Sequence, residues 1–147
     1  MTKYKIRKAT VNDLPSLMEI EHLAIKESLP VETISLIMDN SNYTVSVCTV
    51  DLDSDEEILG YTMWQDVDNT HVISRLLVHP SCWNRGIGKA LMTHIIDDSE
   101  KCGNECDFVC IPDQAVLLFP FFLRSLGFKL NRKAGIVSLY SFTGESE

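Results

Sequence analysis

The sequence lacks any long apolar run, and its first ten residues, MTKYKIRKAT, contain no apolar block. A membrane-spanning helix needs roughly 18 or more consecutive apolar residues, and a signal peptide needs an apolar core of its own. Neither pattern occurs here. We therefore expect a cytoplasmic protein that has no membrane partner.

Positive charge is also scarce in this chain. It has 13 Lys and Arg residues against 21 Asp and Glu residues, which gives a net charge of -8. Such a surface repels the phosphate backbones of nucleic acids and the anionic heads of lipids. The charge balance therefore argues against a general nucleic-acid binder.

The paired C-x-x-C motifs of zinc modules are absent as well. The five cysteines are an odd number, which does not suit a complete disulfide framework. Cys102, Cys106 and Cys110 are spaced by four residues with His94 nearby, but Cys106 and Cys110 fall on one face of a predicted strand. We therefore predict reduced thiols, no metal site and no metal in the reaction.

What the chain does have is the composition of a globular domain: 147 residues, of which 45% are hydrophobic and 23% charged. A single core of this size buries roughly 70% of the surface that the unfolded chain exposes, so no disulfide or structural metal is needed for stability. We predict one domain over residues 1–147, with a flexible tail at 144–147.

Apolar residues recur with the strand period of two in some segments and with the helix period of 3.6 in others. The predicted strands are 4–9, 43–50, 57–65, 71–78, 107–111, 128–130 and 136–142. The predicted helices are one from Leu14 that Pro30 ends, then 31–38, 86–101 and 115–126, and LDSDEE (52–57) is predicted as an acidic loop. This order specifies an α/β fold: a mixed sheet of about seven strands flanked by about four helices.

The most informative segment is RLLVHPSCWNRGIGKALM, residues 75–92. An apolar strand stops at a proline, and a glycine-rich turn then opens an amphipathic helix. The first amides of a helix are unpaired and lie at the positive end of its dipole, so they bind anions. Gly86 and Gly88 let a phosphate approach the backbone, and Arg85 and Lys89 add positive charge.

The spacing within this segment narrows the kind of anion site. A Walker A loop needs glycine at Trp83 and Ser or Thr at Ala90, and a dinucleotide fingerprint needs a third glycine at Leu91, so both patterns fail. The strand, proline and x-R-G-I-G-K-A turn closely resemble the GNAT superfamily of acetyl-CoA-dependent N-acetyltransferases. LRSLGFKL (123–130) is similar to that family's closing Y-x-x-x-G-F segment.

The resemblance implies a GNAT fold over the whole domain, with acetyl-CoA as the cosubstrate. The pantetheine arm would pair with the main chain of the strand at Leu76, Leu77 and Val78. The pyrophosphate would lie in the turn formed by Asn84, Arg85, Gly86, Ile87, Gly88, Lys89 and Ala90. The implied activity is N-acetyl transfer from acetyl-CoA to a primary amine by direct attack in a ternary complex.

Three positions depart from the family's pattern. Trp83 replaces the Gln or Arg that begins the family's Q/R-x-x-G-x-G/A motif. Leu123 stands where the family often has a tyrosine that acts as general acid, and Val72 stands where it often has a glutamate base. The departures at Leu123 and Val72 keep an alternative open: a catalytically weak CoA-binding regulatory or interaction module with a GNAT fold.

His71 is the candidate catalytic residue. On a regular strand it shares a face with Ile73, Arg75 and Leu77, so it could lie in an acceptor cleft beside the thioester and accept the proton of the amine. The alternative is an ordinary solvated strand residue.

The acceptor amine is expected to be cationic, on a small molecule or on a protein. The LDSDEE segment with Asp66 and Asp68 could guide a cation, and the alternative is a solvated acidic surface. The cluster Phe119, Phe121 and Phe122 is predicted to line the core or a cleft, with a homodimer surface as the alternative.

Overall fold

Seven strands form one mixed sheet in the computed structural model, which describes residues 3–110 and 119–144. The strands are β1 (Lys5–Lys8), β2 (Tyr43–Leu52), β3 (Asp55–Val67), β4 (Thr70–Val78), β5 (Glu105–Cys110), β6 (Phe128–Ala134) and β7 (Val137–Phe142). The helices are α1 (Leu14–Ala24), α2 (Val31–Asp39), α3 (Ile87–Cys102) and α4 (Phe119–Ser125). The strand order is β1-β2-β3-β4-β5-β7-β6, which confirms the predicted fold class.

The helices cover both faces of the sheet and bury two apolar cores. On one face the stripe Ile87, Leu91 and Ile95 of α3 packs with Phe108 of β5. On the other face α1 and α2 bury a second set, which includes Leu17, Ile34, Val45, Tyr61 and Leu77. No helix among the described residues combines the length and the apolar character that crossing a membrane requires.

Several predicted ends fall outside the described residues: position 111 of the fifth strand, 115–118 of the last helix and 145–147 of the tail. Within the described part, α4 begins at Phe119 and has Pro120 in its first turn, where a missing amide proton costs no helical hydrogen bond.

The prediction of an acidic loop at LDSDEE is wrong. β2 continues to Leu52 and β3 begins at Asp55, so the connection is only Asp53 and Ser54, whose φ angles are 49° and 78°. A two-residue turn with positive φ at both positions has a twist that matches the twist of the two strands it joins. Strand pairing continues to the end of the hairpin, and the acidic side chains are exposed to solvent at its tip.

The parallel strands β4 and β5 separate halfway along β4. They pair from Thr70 with Glu105 to Ile73 with Phe108, and β5 then continues beside β7 alone. β4 remains paired with β3 as far as Val78. Among the described residues, no strand therefore covers the β5-facing edge of β4 from Arg75 to Val78. We call this opening the wedge.

The pairing of β4 with β3 determines which backbone groups face the wedge. The amide of His79 donates to the carbonyl of Leu59 at 2.8 Å, so Val78 and Gly60 form a non-hydrogen-bonded pair. The amide and carbonyl of Val78 therefore point away from β3, and those of Leu76 do the same one full strand period earlier. The intervening Leu77 bonds to β3 instead.

A β-bulge at Ser74 interrupts the same pair of strands. Met63 pairs with Arg75, and the next residue, Trp64, pairs with Ile73. The extra residue changes which face the following side chains occupy. Ile73 lies in the α3 core, whereas Leu77 lies in the α1 core. The predicted shared face of His71 with Arg75 and Leu77 is therefore wrong.

Gly60 allows the closest approach between β3, β4 and the start of α3. A Cβ atom there would lie 2.8 Å from the Leu77 carbonyl oxygen and 3.2 Å from Cγ2 of Ile87. The backbone oxygen cannot rotate away as the end of a side chain could. Gly60 therefore sets how near the beginning of α3 can come to the end of β4.

Replacing Gly60 by alanine should lower the free energy of unfolding by about 1–3 kcal/mol, because the added methyl group forces strand or helix to shift. Urea unfolding measures the change. Gly88→Ala is the matched control, since a Cβ atom at Gly88 meets only Cζ of Phe122 at 3.5 Å and Cγ2 of Val78 at 3.9 Å. Equal stability of the two variants would contradict the close-packing argument.

Candidate functional site

The turn before α3 presents a row of backbone amides at one end of the wedge. Gly86 precedes the helix with a φ angle of 81°, and the first intrahelical bond runs from the Ala90 amide to the Gly86 carbonyl at 3.0 Å. Within the described part of the chain, the amides from Asn84 to Lys89 have no hydrogen-bond acceptor. A helix start with free amides is an anion site.

The two glycines of this turn have different roles, although the sequence suggested the same role for both. A Cβ atom added at Gly86 would have no heavy atom within 4 Å, and the positive φ is what requires glycine there. Gly88 has no positive φ but borders the space between Val78 and Phe122. An added side chain at Gly88 would therefore enter the volume that the amides face.

The positive side chains predicted for the site are in place. Arg85 and Lys89 are both exposed, and neither has an ion-pair partner among the described residues. Ile87 is different, because its side chain is only 1% exposed and lies in the α3 core. Ile87 can therefore contribute its amide but not its side chain.

The wedge and the amide turn meet at Val78. Leu76 and Val78 direct backbone groups into the wedge, whereas Leu77 pairs with Tyr61 on β3 and places its side chain in the opposite core. This alternation makes Leu76 and Val78 the pairing residues for an extended ligand. The prediction that the main chain of Leu77 pairs with the pantetheine arm is therefore not supported by the pairing of Leu77 with β3.

Trp83 occupies part of the wedge. Its indole Nε1 donates to the carbonyl oxygen of Val78 at 2.9 Å, and the side chain is 53% exposed. The departure from the family's Gln or Arg therefore has a local consequence: the chain's own indole satisfies one of the acceptors that a bound pantetheine arm would meet.

His71 lies far from this turn. It is seven residues before Val78, which is roughly 23 Å along an extended strand. Its side chain is buried against Trp64, with the two ring centroids 5.6 Å apart, and it contacts Asp66 and Asp98. The placement does not support the catalytic role predicted for His71.

Leu123 and Val72 match the positions of the family's general acid and general base. Neither side chain can donate or accept a proton. Leu123 is completely buried in the α3 core. Val72 is half-buried within the sheet, paired with Gln65 on β3 and Asp107 on β5. Leu123 therefore acts as a packing residue in this structure.

A buried ionic network, which the sequence analysis missed, lies on the α1 side of the same strand. Arg75 donates through Nε to Oε2 of Glu21 at 2.9 Å, and the Tyr61 hydroxyl also donates to Glu21. The Leu29 amide donates to Oε1 of Glu21 at 2.7 Å, and the Arg75 guanidinium contacts the Glu27 carbonyl at 3.4 Å. The network ties the segment between α1 and α2 to β4.

The network also changes how its members titrate. Burial, followed by the neighbouring Glu21 carboxylate, raises the pKa of Tyr61 well above its usual value. Burial lowers the pKa of Arg75, but its hydrogen bonds to Glu21 outweigh that effect and leave it raised. The signal for this network in the sequence is an arginine in an apolar strand and a glutamate on the apolar side of a helix.

The acidic residues proposed to guide a cation form two separate groups. The β2–β3 tip extends beyond Val78, at the same end as the amide turn, because Gly60 pairs with Val78. Asp66 pairs with His71 and therefore lies at the opposite end. Two carboxylates of the tip are already paired: Asp51 with Lys5 at 2.9 Å and Glu56 with Arg7 at 2.6 Å.

The phenylalanine cluster is divided between the interior and the surface. Phe122 packs against the α3 core and borders Gly88. Phe121 is 63% exposed, with the Arg124 guanidinium 4.7 Å from its ring centroid. The side chain of Phe119 lies outside the described part of the structure. The homodimer surface stays a prediction.

Comparison with known families identifies the class of protein that this fold and turn define. The sequence profile of the acetyltransferase (GNAT) family matches residues 14–128, and the chain belongs to that family. A comparison with curated protein sequences finds no match.

Solved structures with the same fold include three acetyltransferases. The ribosomal-protein-S18-alanine N-acetyltransferase from Escherichia coli has a TM-score of 0.78 at 19% identity, covering 95% of this chain and 93% of its own. PaiA N-acetyltransferase from Thermoplasma acidophilum, in complex with coenzyme A, has a TM-score of 0.74 at 20% identity, covering 95% and 98%. An acetyltransferase from Thermus thermophilus has a TM-score of 0.78 at 15% identity, covering 95% and 96%.

Replacing Gly88 by valine should weaken CoA binding by about 100-fold or more, because the branched side chain would enter the space beside the free amides. Isothermal titration calorimetry with CoA measures the affinity. Gly88→Ala is the size control and should lose less. Unchanged affinity in a folded Gly88→Val protein would show that CoA binds elsewhere.

Replacing Trp83 by phenylalanine should tighten CoA binding by up to about tenfold, because the Val78 carbonyl would no longer be occupied by the indole. Calorimetry again gives the affinity. Tryptophan fluorescence gives an independent readout, since CoA should change the emission of Trp83. The signal should persist in a Trp64→Phe protein and vanish in the Trp83→Phe protein, and the reverse pattern would contradict the assignment.

Proposed function

We propose that this protein is an acetyl-CoA-dependent N-acetyltransferase that moves acetyl to a primary amine by direct attack in a ternary complex. The observation that carries the proposal is the junction of two sets of backbone groups that have no main-chain partner in the described structure. Those of Leu76 and Val78 face the wedge, and the free amides of residues 84–89 lie at its end. The PaiA N-acetyltransferase with the same fold is solved with coenzyme A.

The two sets of backbone groups suit the two parts of CoA. The pyrophosphate would accept hydrogen bonds from the amides at the start of α3, with Arg85 and Lys89 adding charge. The pantetheine arm contains amides of its own, so it would pair with Leu76 and Val78 as an additional strand would. Trp83 would then give up the Val78 carbonyl.

The reaction needs little covalent chemistry from the protein. The neutral amine nitrogen attacks the thioester carbon, the carbon–sulfur bond breaks, and CoA leaves as the thiolate while the nitrogen loses a proton. A backbone amide in the wedge would stabilise the oxyanion that forms. A thiol has a pKa near 8.5, so the leaving group departs without obligatory protonation.

The acceptor must arrive without its extra proton, because neither Leu123 nor Val72 can take up or donate one. Solvent water would remove the remaining proton after attack. Positioning of the amine beside the thioester is then the main source of catalysis, since well-oriented reactants gain several kcal/mol. The expected turnover is slow but real.

A cationic acceptor fits the charge distribution. The net charge is -8. At the wedge end of the sheet, Asp53, Asp55 and Glu57 are exposed and have no ion-pair partner among the described residues. Carboxylates at a site entrance raise the local concentration of cations. The acceptor would be a polyamine-like small molecule or a protein amine that carries further positive charge.

The second candidate function is a CoA-binding module without turnover, and the burial of Leu123 favours it. One assay separates the two: acetyl-CoA consumption with 1,4-diaminobutane, butylamine and a lysine-containing peptide. Turnover above the uncatalysed rate, faster for the diamine than for butylamine, supports the enzyme with a cationic acceptor. CoA binding without turnover on any amine would instead favour the module.

The value of kcat/KM should rise about tenfold per pH unit from about pH 6 to about pH 9 for a lysine-like acceptor, whose amine has a pKa near 10.4. The reason is that only the neutral amine attacks and no enzyme base assists. A pH series of initial rates at subsaturating acceptor measures the slope. A plateau with an inflection near pH 6.5 would indicate a histidine base and overturn this part of the mechanism.

A further inference from the structure

A second cluster of polar side chains lies at the opposite end of the sheet from the amide turn. His71 is 2% exposed, and each of its ring nitrogens faces a carboxylate. Nδ1 lies 3.0 Å from Oδ1 of Asp66, and Nε2 lies 2.8 Å from Oδ2 of Asp98. The side-chain nitrogen of Asn104 also lies 3.4 Å from Nδ1, so this buried imidazole is enclosed by polar side chains.

α3 brings a third donor to this imidazole. Asp98 and Cys102 are four residues apart on the helix, so their side chains share one face. The donor atoms of His71, Asp98 and Cys102 all lie within 4.8 Å of one another. Cys102 is the exposed one of the five cysteines.

This grouping differs from the one that the cysteine spacing suggested. Cys106 and Cys110 are buried within the sheet, and burial raises the pKa of the Cys106 thiol to about 12. Such thiols do not form the thiolates that metals bind. Only Cys102, at the end of α3, contributes to a cluster of possible ligands in the described structure.

The two nitrogens of the imidazole differ in which of them could bind a metal ion. In a neutral imidazole one nitrogen carries a proton and the other has a lone pair that can bind a metal ion. Nε2 is suited to the metal, because Oδ2 of Asp98 lies 2.8 Å from it and could bind the same ion, whereas Nδ1 faces Oδ1 of Asp66 and the side-chain amide of Asn104, at 3.4 Å. A histidine between a metal and a second carboxylate is the usual arrangement of metal-ligating histidines.

We propose that His71 Nε2, the Asp98 carboxylate and the Cys102 thiolate bind one Zn²⁺ ion, with Asp66 orienting the imidazole. Nitrogen, oxygen and sulfur donors together suit zinc, whose bonds of about 2.0–2.3 Å place tetrahedral ligand atoms about 3.3–3.8 Å apart. Rotation of the partly exposed Asp98 and exposed Cys102 side chains brings the donors to that spacing. Solvent would supply the fourth ligand.

The ion would join the end of α3 to the beginning of β4. Binding releases the thiol proton of Cys102, and the three ligands come from two elements that are already joined by the contact between His71 and Asp98. His71 lies roughly 23 Å along β4 from Val78, where the wedge meets the amide turn. We assign the ion a structural role, and the inference does not depend on the proposed acetyl transfer.

Titration of the metal-free, reduced full chain with Co²⁺ tests the site, because cobalt reports its ligands by absorption. We expect one ion per chain, a thiolate-to-cobalt charge-transfer band, tetrahedral visible bands, and displacement by Zn²⁺. Cys102→Ser and Asp98→Asn should each weaken binding about 100-fold, and Asp66→Asn should weaken it about tenfold. Asp97→Asn, next to the cluster on the same helix, should bind as the parent does.

Alkylation of Cys102 provides a readout that does not require a variant. Since the other four cysteines are buried, iodoacetamide should modify Cys102 alone, and Zn²⁺ should slow that modification. A cobalt spectrum without the thiolate band would overturn the proposal, as would equal affinity of the parent and Cys102→Ser proteins or no protection by Zn²⁺. Each of those results would leave His71 with its two carboxylate contacts and no metal ion.

Discussion

The separation of β4 from β5 beyond Ile73 is the constraint on which the rest of this structure depends. Beyond Phe108, β5 is paired with β7 alone, and the backbone groups of Leu76 and Val78 have no strand partner on that side in the described structure. Backbone groups shielded from water must be satisfied by some partner. The Trp83 indole donates a hydrogen bond to one of these groups, the Val78 carbonyl. An extended ligand, as proposed above, would pair with the others and so complete the hydrogen bonding of the sheet.

The start of α3 lies close to the end of β4, next to the wedge. Gly60 lets Ile87 approach the β3–β4 pair, which places the free amides of α3 at the mouth of the wedge. The buried pair of Glu21 and Arg75 fixes the strand from its other face. A backbone site of this kind needs rigid support more than particular side chains, because its donors are main-chain amides.

The wedge turn could be predicted from the sequence because its signals are local. Apolar alternation, a proline, glycines and a helix period follow one another within residues 75–92, and each acts on the backbone where it stands. The position of His71 could not be predicted. The bulge at Ser74 arises from pairing with β3, so a side-chain face read from strict alternation fails beyond it. The network of Glu21 and Arg75 joins residues 54 apart: each is a charged residue on an apolar face, but no local pattern shows that the two meet.

α3 has the amide turn at one end and the cluster around His71 at the other, and its two ends carry opposite partial charges. Its amino end presents free amides and is followed by Lys89, which suits an anion. Its last turns carry Asp97, Asp98 and Glu100 against the single base Lys101, although the negative end of a helix dipole disfavours acidic side chains. Asp97 and Glu100 are exposed, so water solvates part of this negative charge. A cation held between the end of α3 and His71 would neutralise both the dipole and the carboxylates, so the helix would have an anion at one end and a metal ion at the other.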